Sequence, residues 1–167
     1  MSKKLILVRH ANAKPGNFDL PDFDRALDKV GIDEAQEMAF RLRNRKLIPE
    51  LIVSSSAIRA ISTARIFAGV WNLEHSGILE KQALYSSSIP ALLRAINAID
   101  DNISCAALFG HNPEISALAS YLMEDSHLTM PTCGIIVINF EIGRWSLVGK
   151  GLGTMLLFDY PGATSAH

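Results

Sequence analysis

An α/β fold, a three-layer α/β/α sandwich around a mostly parallel central sheet, is predicted by three features of this 167-residue chain. Short apolar runs, too brief for helices, recur at about 4–9, 51–54 and 105–109. Stripes with helical spacing separate them. Two further runs, at about 134–140 and 145–149, lie on either side of Gly143 and read as a closing hairpin. Strands that alternate with helices need crossover connections, and those pair strands in parallel.

The elements follow in order. Lys4-Leu5-Ile6-Leu7-Val8 is a buried strand ending at Arg9. Ala35, Met38, Ala39 and Leu42 repeat at i, i+3, i+4, i+7, a helix for which Asp28 or Asp33 is the expected cap. Leu51-Ile52-Val53 is the second strand and runs into Ser54-Ser55-Ser56. Ala57, Ala60, Ile61 and Ala64 then mark a helix with Arg59 in its first turn. Ile89, Leu92, Leu93 and Ile96 mark another. Ala106-Ala107-Leu108-Phe109 is a strand ending at Gly110-His111. Asn112-Pro113-Glu114 offers a cap, a proline at the first helical position and an acid in the first turn, ahead of the stripe Ile115, Leu118, Ala119, Leu122. One domain over residues 1–160 is expected, with 161–167 a disordered tail.

Composition removes several classes of function. The 16 Lys and Arg nearly balance the 17 Asp and Glu, for a net charge of −1. A nucleic-acid or anionic-membrane footprint needs a basic excess that is absent here. No apolar run approaches the ~20 residues of a bilayer span. The amino-terminal lysines precede only a four-residue apolar run before Arg9, which does not make a signal peptide. Cys105 and Cys133 sit in apolar stretches and read as buried free thiols, as in a reducing cytoplasm, so a cytoplasmic location is expected. Spaced His, Cys and carboxylate ligands for a metal are missing, and neither metal nor cofactor is expected.

Ligands of open α/β sheets bind beyond the carboxyl ends of the strands. Three segments bring polar residues to that edge: Arg9-His10, Ser54 to Arg59, and Gly110-His111. A guanidinium clamps an oxyanion bidentately, and an imidazole attacks phosphorus. Two helix amino termini at the same edge add N–H groups and positive dipole ends, which suits a phosphate. No Gly-x-Ser-x-Gly elbow surrounds the serines, so they read as turn and cap rather than nucleophile. His75, His127 and His167 carry no motif and read as surface residues. Arg25 reads as an organiser of the loop after the first strand.

Val8-Arg9-His10-Ala11 resembles the Arg-His-Gly signature of the histidine phosphatase superfamily. Four further stretches resemble its small phosphohistidine phosphatase branch, the SixA-like proteins: Asp22-Phe23-Asp24-Arg25-Ala26-Leu27 with Gly31, Ser55-Ser56-Ala57-Ile58-Arg59-Ala60 with Thr63, Gly110-His111-Asn112-Pro113, and Met130-Pro131-Thr132. They occur in the branch's order over about residues 4–160. There are departures. Ala11 replaces the usual Gly, and Ala26 and Ser56 replace prolines. The hydroxyl and Asn that mutase-like members place four and seven residues beyond the arginine are Ala13 and Gly16, which counts against a phosphoglycerate mutase.

The resemblance implies a phosphoglycerate mutase-like fold and a metal-independent phosphatase. His10 is then the nucleophile that forms a phosphohistidine intermediate. Arg9, Arg59 and His111 hold the phosphoryl oxygens, and His111 also counts as catalytic. The general acid has no clear candidate. Some members place an Asp after the second histidine, where this chain has Asn112. Glu80 falls in the region of other members' acid, and Asp19 and Glu114 remain as alternatives. An imidazole leaving group is readily protonated near neutral pH, so a weak acid favours a P–N substrate over an ester. The expected substrate is a phosphorylated protein (phosphohistidine) or a small phosphorylated molecule. The chain is short and carries no long insertion between the first strand and Arg59, which implies an open site without an elaborate lid and fits a protein-borne phosphate. A small-metabolite phosphomonoesterase and a non-catalytic phosphate-binding module are the alternatives.

Overall fold

The computed structural model describes residues 1–125 and 127–163. Six strands form one sheet: β1 (Lys3–Arg9), β2 (Leu51–Ser55), β3 (Ile78–Lys81), β4 (Cys105–Gly110), β5 (Ile135–Phe140) and β6 (Gly153–Asp159). Among the described residues the α-helices are α1 (Lys29–Asn44), α2 (Ile58–Val70), α3 (Ile89–Asn97) and α4 (Glu114–Met123). The sheet order is β3-β2-β4-β1-β5-β6. The pairs β1–β4, β2–β4 and β2–β3 are parallel, while β5 runs antiparallel to both β1 and β6. This is the mixed, mostly parallel α/β architecture that the alternating pattern predicts.

Two cores lie on opposite faces, as the two-residue period of a strand requires. Leu5, Leu7, Val53 and Leu108 pack with Leu92, Ile96, Ile115 and Leu118 of α3 and α4. Ile6, Val8, Ile52 and Phe109 pack with Met38, Leu42, Ala64 and Phe67 of α1 and α2. The central strands are therefore apolar on both faces and read as continuous apolar runs. Asp28 rather than Asp33 caps α1, its carboxylate accepting from the Gly31 N–H at 2.7 Å.

Three expectations are corrected. Residues 145–149 are not a strand, and Gly143 does not turn a hairpin: Trp145–Leu147 is a single 3-10 turn, and the closing strand is β6. The backbone there is bonded to side chains instead of to a ladder. The Asn97 amide donates to the carbonyls of Trp145 and Val148, and Asp101 accepts from the Trp145 N–H. Edge strand β3 was absent from the sequence pattern because three of its four residues are exposed. Asn112 does not cap α4; Pro113 stands at the cap position without a side-chain hydrogen bond, and the Asn112 amide turns elsewhere. Of the expected tail, 161–163 form a turn, and 164–167, with His167, lie outside the described residues. His75 and His127 are exposed. Both cysteines are free thiols; Cys133 is buried and Cys105 half-buried. No helix among the described residues is long and apolar enough to cross a membrane.

Candidate active site

Strand β1 delivers His10 into a frame of main-chain hydrogen bonds. Its N–H donates to the Gly110 carbonyl of β4, and its carbonyl accepts from the Cys133 N–H that precedes β5. The neighbouring Ala11 is fully buried, with its N–H donated to Thr63 Oγ1 at 3.0 Å. Its backbone lies outside the left-handed region, so alanine fits where the superfamily signature has glycine. The next residue meets α1: Gly31 lies so close that a Cβ there would fall 2.0 Å from the Asn12 carbonyl oxygen. The Asn12 amide also donates to Asp28 at 2.6 Å. The loop that follows the nucleophile candidate is thus tied to two helices.

His10 Nδ1 lies 2.8 Å from the Ala11 carbonyl oxygen. A carbonyl only accepts, so Nδ1 carries the proton and Nε2 keeps its lone pair. His10 is 8% exposed, and burial is the main cause that pushes its pKa down to about 4; the charges of Arg59 and Arg9 act in the same direction. The ring is neutral at pH 7.

His111, at the end of β4, stands with its ring centroid 5.3 Å from that of His10. Its Nε2 lies 2.8 Å from Ser55 Oγ, and Nδ1 is buried without a partner among the described residues. Burial, then the proximity of His10 and Arg59, lowers its pKa to about 3. Ser55 Oγ also accepts from the Ala57 N–H at the start of α2, so its own proton is free to be donated to the ring.

The two arginines lie close enough to lower the pKa of both histidines. Arg59, 7% exposed in the first turn of α2, gives Nη1 to the Asp22 carbonyl at 2.7 Å and Nη2 to the Asp22 carboxylate at 3.0 Å. Tyr85 donates to the same carboxylate oxygen at 2.7 Å, and Arg25 binds the other at 2.9 Å. The Tyr85 hydrogen bond, followed by those from the two arginines, holds Asp22 well below the usual carboxylate range. The Tyr85 ring meets His111 edge-on at 5.6 Å and Phe23 at 5.0 Å. Arg9 gives Nη1 to the Met130 carbonyl at 3.0 Å, while its Nε is buried without a partner among the described residues.

The structure thus gathers Arg9, His10, Arg59 and His111. It does not bring Glu80 to them: Glu80 is exposed on edge strand β3, opposite Ser54 in register, with no hydrogen bond or ion pair among the described residues. Asp19 is exposed in the loop after β1, with its N–H bonded to Asn17 Oδ1. Glu114 opens α4 without a side-chain bond to the cluster. The carboxylate bonded into the cluster is Asp22, and it is ionised. Arg25 does organise the loop, its Nε donated to the Lys14 carbonyl. The open site is qualified: the short segment around Asp22, together with Tyr85, walls the cluster and leaves both histidines more than nine-tenths buried.

Asp22, Ser55, Thr63 and Tyr85 were given no role at the site from sequence. Asp22, Ser55 and Thr63 stand in the motif-like stretches, the signal that singles them out; Tyr85 has none. A cleft of about 920 Å³ adjoins the cluster, with Asn112, Ser116, Tyr121, Leu128 and Lys150 in its wall and none of the four gathered residues.

Comparison with known proteins bears on the family and the fold. Residues 5–80 match the family model of the histidine phosphatase superfamily (branch 1). An uncharacterized protein of Mycobacterium tuberculosis is 30% identical over 169 residues, covering 92% of this chain and 99% of its own. The crystal structure of a candidate phosphohistidine phosphatase SixA from Agrobacterium tumefaciens superposes with a TM-score of 0.82 at 25% identity, over 95% of this chain and 98% of that one. The protein histidine phosphatase SixA complexed with tungstate superposes at 0.80 with 22% identity, over 95% and 97%. The chain belongs to the histidine phosphatase superfamily, among its SixA-like members, and is by that membership a hydrolase of the phosphatase class.

Proposed function

We propose that the protein is a phosphohistidine phosphatase acting through a covalent phosphohistidine on His10. The observation that carries this reading is the tautomer of His10. The Ala11 carbonyl accepts a hydrogen bond from Nδ1–H, which keeps the proton there and leaves Nε2 as an unprotonated nucleophile at the carboxyl edge of the sheet. In the first step Nε2 attacks phosphorus in line. The P–N bond to the substrate imidazole breaks, and that imidazole leaves with its electron pair and takes a proton. In the second step water attacks the phosphoenzyme, releasing phosphate and restoring His10. Arg9 and Arg59 take the equatorial oxygens, where transition-state charge is spread. His111 adds Nδ1–H, with Nε2 accepting from the Ser55 hydroxyl.

The acid question supports a P–N substrate. An alkoxide needs a strong proton donor, and the carboxylate bonded into this cluster is held ionised by Tyr85 and two arginines. The reaction is proposed to need no metal; among the described residues no three His, Cys, Asp or Glu side chains are grouped to hold one. The proposed substrate is a phosphorylated protein rather than a polyanion or a lipid surface. Phosphate release is to be measured from a phosphohistidine peptide and from an aryl phosphate, with wild type and His10→Ala. The reading expects preferential turnover of the peptide and a loss of at least about a thousandfold in the variant. Turnover of the ester alone assigns a metabolite phosphomonoesterase. Residual turnover near wild type in His10→Ala rejects the covalent route.

A further inference from the structure

Among the described residues the Arg9 guanidinium has one partner, the Met130 carbonyl, and that carbonyl is itself held from a distant part of the chain. The Met130 N–H donates to Ser116 Oγ at 2.9 Å. The Ser116 hydroxyl donates in turn to Asn112 Oδ1 at 2.6 Å. The Asn112 amide closes the ring by donating to the Met130 carbonyl at 2.9 Å. Both main-chain groups of Met130 are therefore fixed by two side chains, Asn112 just ahead of α4 and Ser116 in its first turn. Its carbonyl accepts two hydrogen bonds, one from Asn112 and one from Arg9. The ring is closed in one direction: each donor has an acceptor, and reversing any one bond leaves two donors or two acceptors face to face. Only an amide at 112 can donate to the carbonyl while accepting from the hydroxyl. An Asp there has no proton for Met130 and sets a charge against its oxygen.

We propose that Asn112 and Ser116 are positioning residues for Arg9, acting through the Met130 carbonyl to aim its guanidinium at the phosphoryl group. This rests on the reading of Arg9 as a phosphate ligand. It also gives Asn112 a task other than the proton donation its position suggests: the residue after His111 steers the arginine across the site. Misplacing an oxyanion ligand by a fraction of an ångström weakens substrate and transition state alike, so the loss reaches phosphate affinity and kcat/KM beside the stability cost of an orphaned Met130 main-chain group.

The test is a double-mutant cycle read by competitive inhibition with inorganic phosphate and by aryl phosphate kinetics. The variants are Ser116→Ala, Asn112→Ala and Arg9→Ala, together with Arg9→Ala/Ser116→Ala. Ser120→Ala, one turn along α4 and outside the ring, serves as the control. Ser116→Ala and Asn112→Ala are each expected to weaken phosphate inhibition about tenfold. In the Arg9→Ala background the serine substitution is expected to change nothing further. A Ser116→Ala effect undiminished without Arg9 overturns the proposal, since the ring then acts by another route. A wild-type inhibition constant in both single variants overturns it as well. If Arg9→Ala itself binds phosphate as wild type does, the reading of Arg9 as a phosphate ligand fails, and this inference falls with it. Weak binding in Arg9→Ala beside normal binding in Ser116→Ala rejects the ring alone.

Discussion

Arg9 and Arg59 flank the same histidines and are supported in opposite ways. Arg9 leans on a main-chain carbonyl within a ring of neutral hydrogen bonds from Asn112 and Ser116. Arg59 is tied to a charge, the half-exposed carboxylate of Asp22, which also holds Tyr85 and Arg25. Neutral hydrogen bonds among buried groups respond little to salt, whereas an ion pair with an exposed partner is screened. One side of the site is thus a fixed wall. The other is a surface turn whose grip depends on the solution. A half-exposed carboxylate can also release its arginine to a competing phosphate without leaving an orphaned buried charge, which a buried one could not do.

The largest expected effects test whether both arginines serve one phosphoryl group. Arg9→Ala and Arg59→Ala should each lower kcat/KM on an aryl phosphate by about a hundredfold to a thousandfold. A loss confined to one of them would break the pairing. Asp22→Asn comes next. It keeps the main-chain anchor of Arg59 and removes the charge, so kcat/KM should fall about tenfold and lose most of its dependence on salt. Ser116→Ala should leave that salt dependence intact, which separates the two supports in a single titration.

The pH profile gives a third comparison. Burial pushes His10 down to about 4, and in the proposed covalent route its acid form is the inactive one. The acid limb of kcat/KM, corrected for the second ionisation of the substrate near pH 6, should therefore lie well below 6.5. Stability follows with the same sign. A histidine that is neutral when folded and titrates near 6.5 when unfolded stabilises fully above 6.5. That contribution is lost as pH falls through the folded value. His10→Ala should flatten the dependence of Tm on pH between about 6.5 and 4. The smallest effect is expected for Tyr85→Phe, a few-fold loss, since Asp22 keeps both arginines.

The interior strands were legible because burial on both faces makes them continuous apolar runs between polar ends. Strand β3 carries no such mark, with Leu79, Glu80 and Lys81 all exposed. The segment 145–149 misled because Trp145 and Val148 are buried apolar residues whose backbone is nonetheless bonded to Asn97 and Asp101. Motifs at three strand ends pointed to Arg9 with His10, to Arg59 in the helical turn after β2, and to His111, because three local segments deliver them. Ser55 and Tyr85 could not be read that way. Their bonds to His111 and Asp22 span 56 and 63 residues, and nothing near them in sequence encodes the partner. Asn112 shows the limit of local chemistry. The same side chain that suits a helix cap finds a competing carbonyl 18 residues away.

Thr63 gives the site a common hinge pin. Its hydroxyl accepts from the Ala11 N–H and donates to the Arg59 carbonyl at 2.7 Å, so the loop behind His10 and the helical turn bearing Arg59 share one buried oxygen. The loop behind His10 and the turn bearing Arg59 cannot drift apart without stranding a polar group in the core. Sequence change that retunes substrate choice while keeping the chemistry must therefore pass through the outer wall of Asp22, Phe23 and Tyr85. Directed evolution of this enzyme would gather its useful substitutions there and find the floor of the site closed to it.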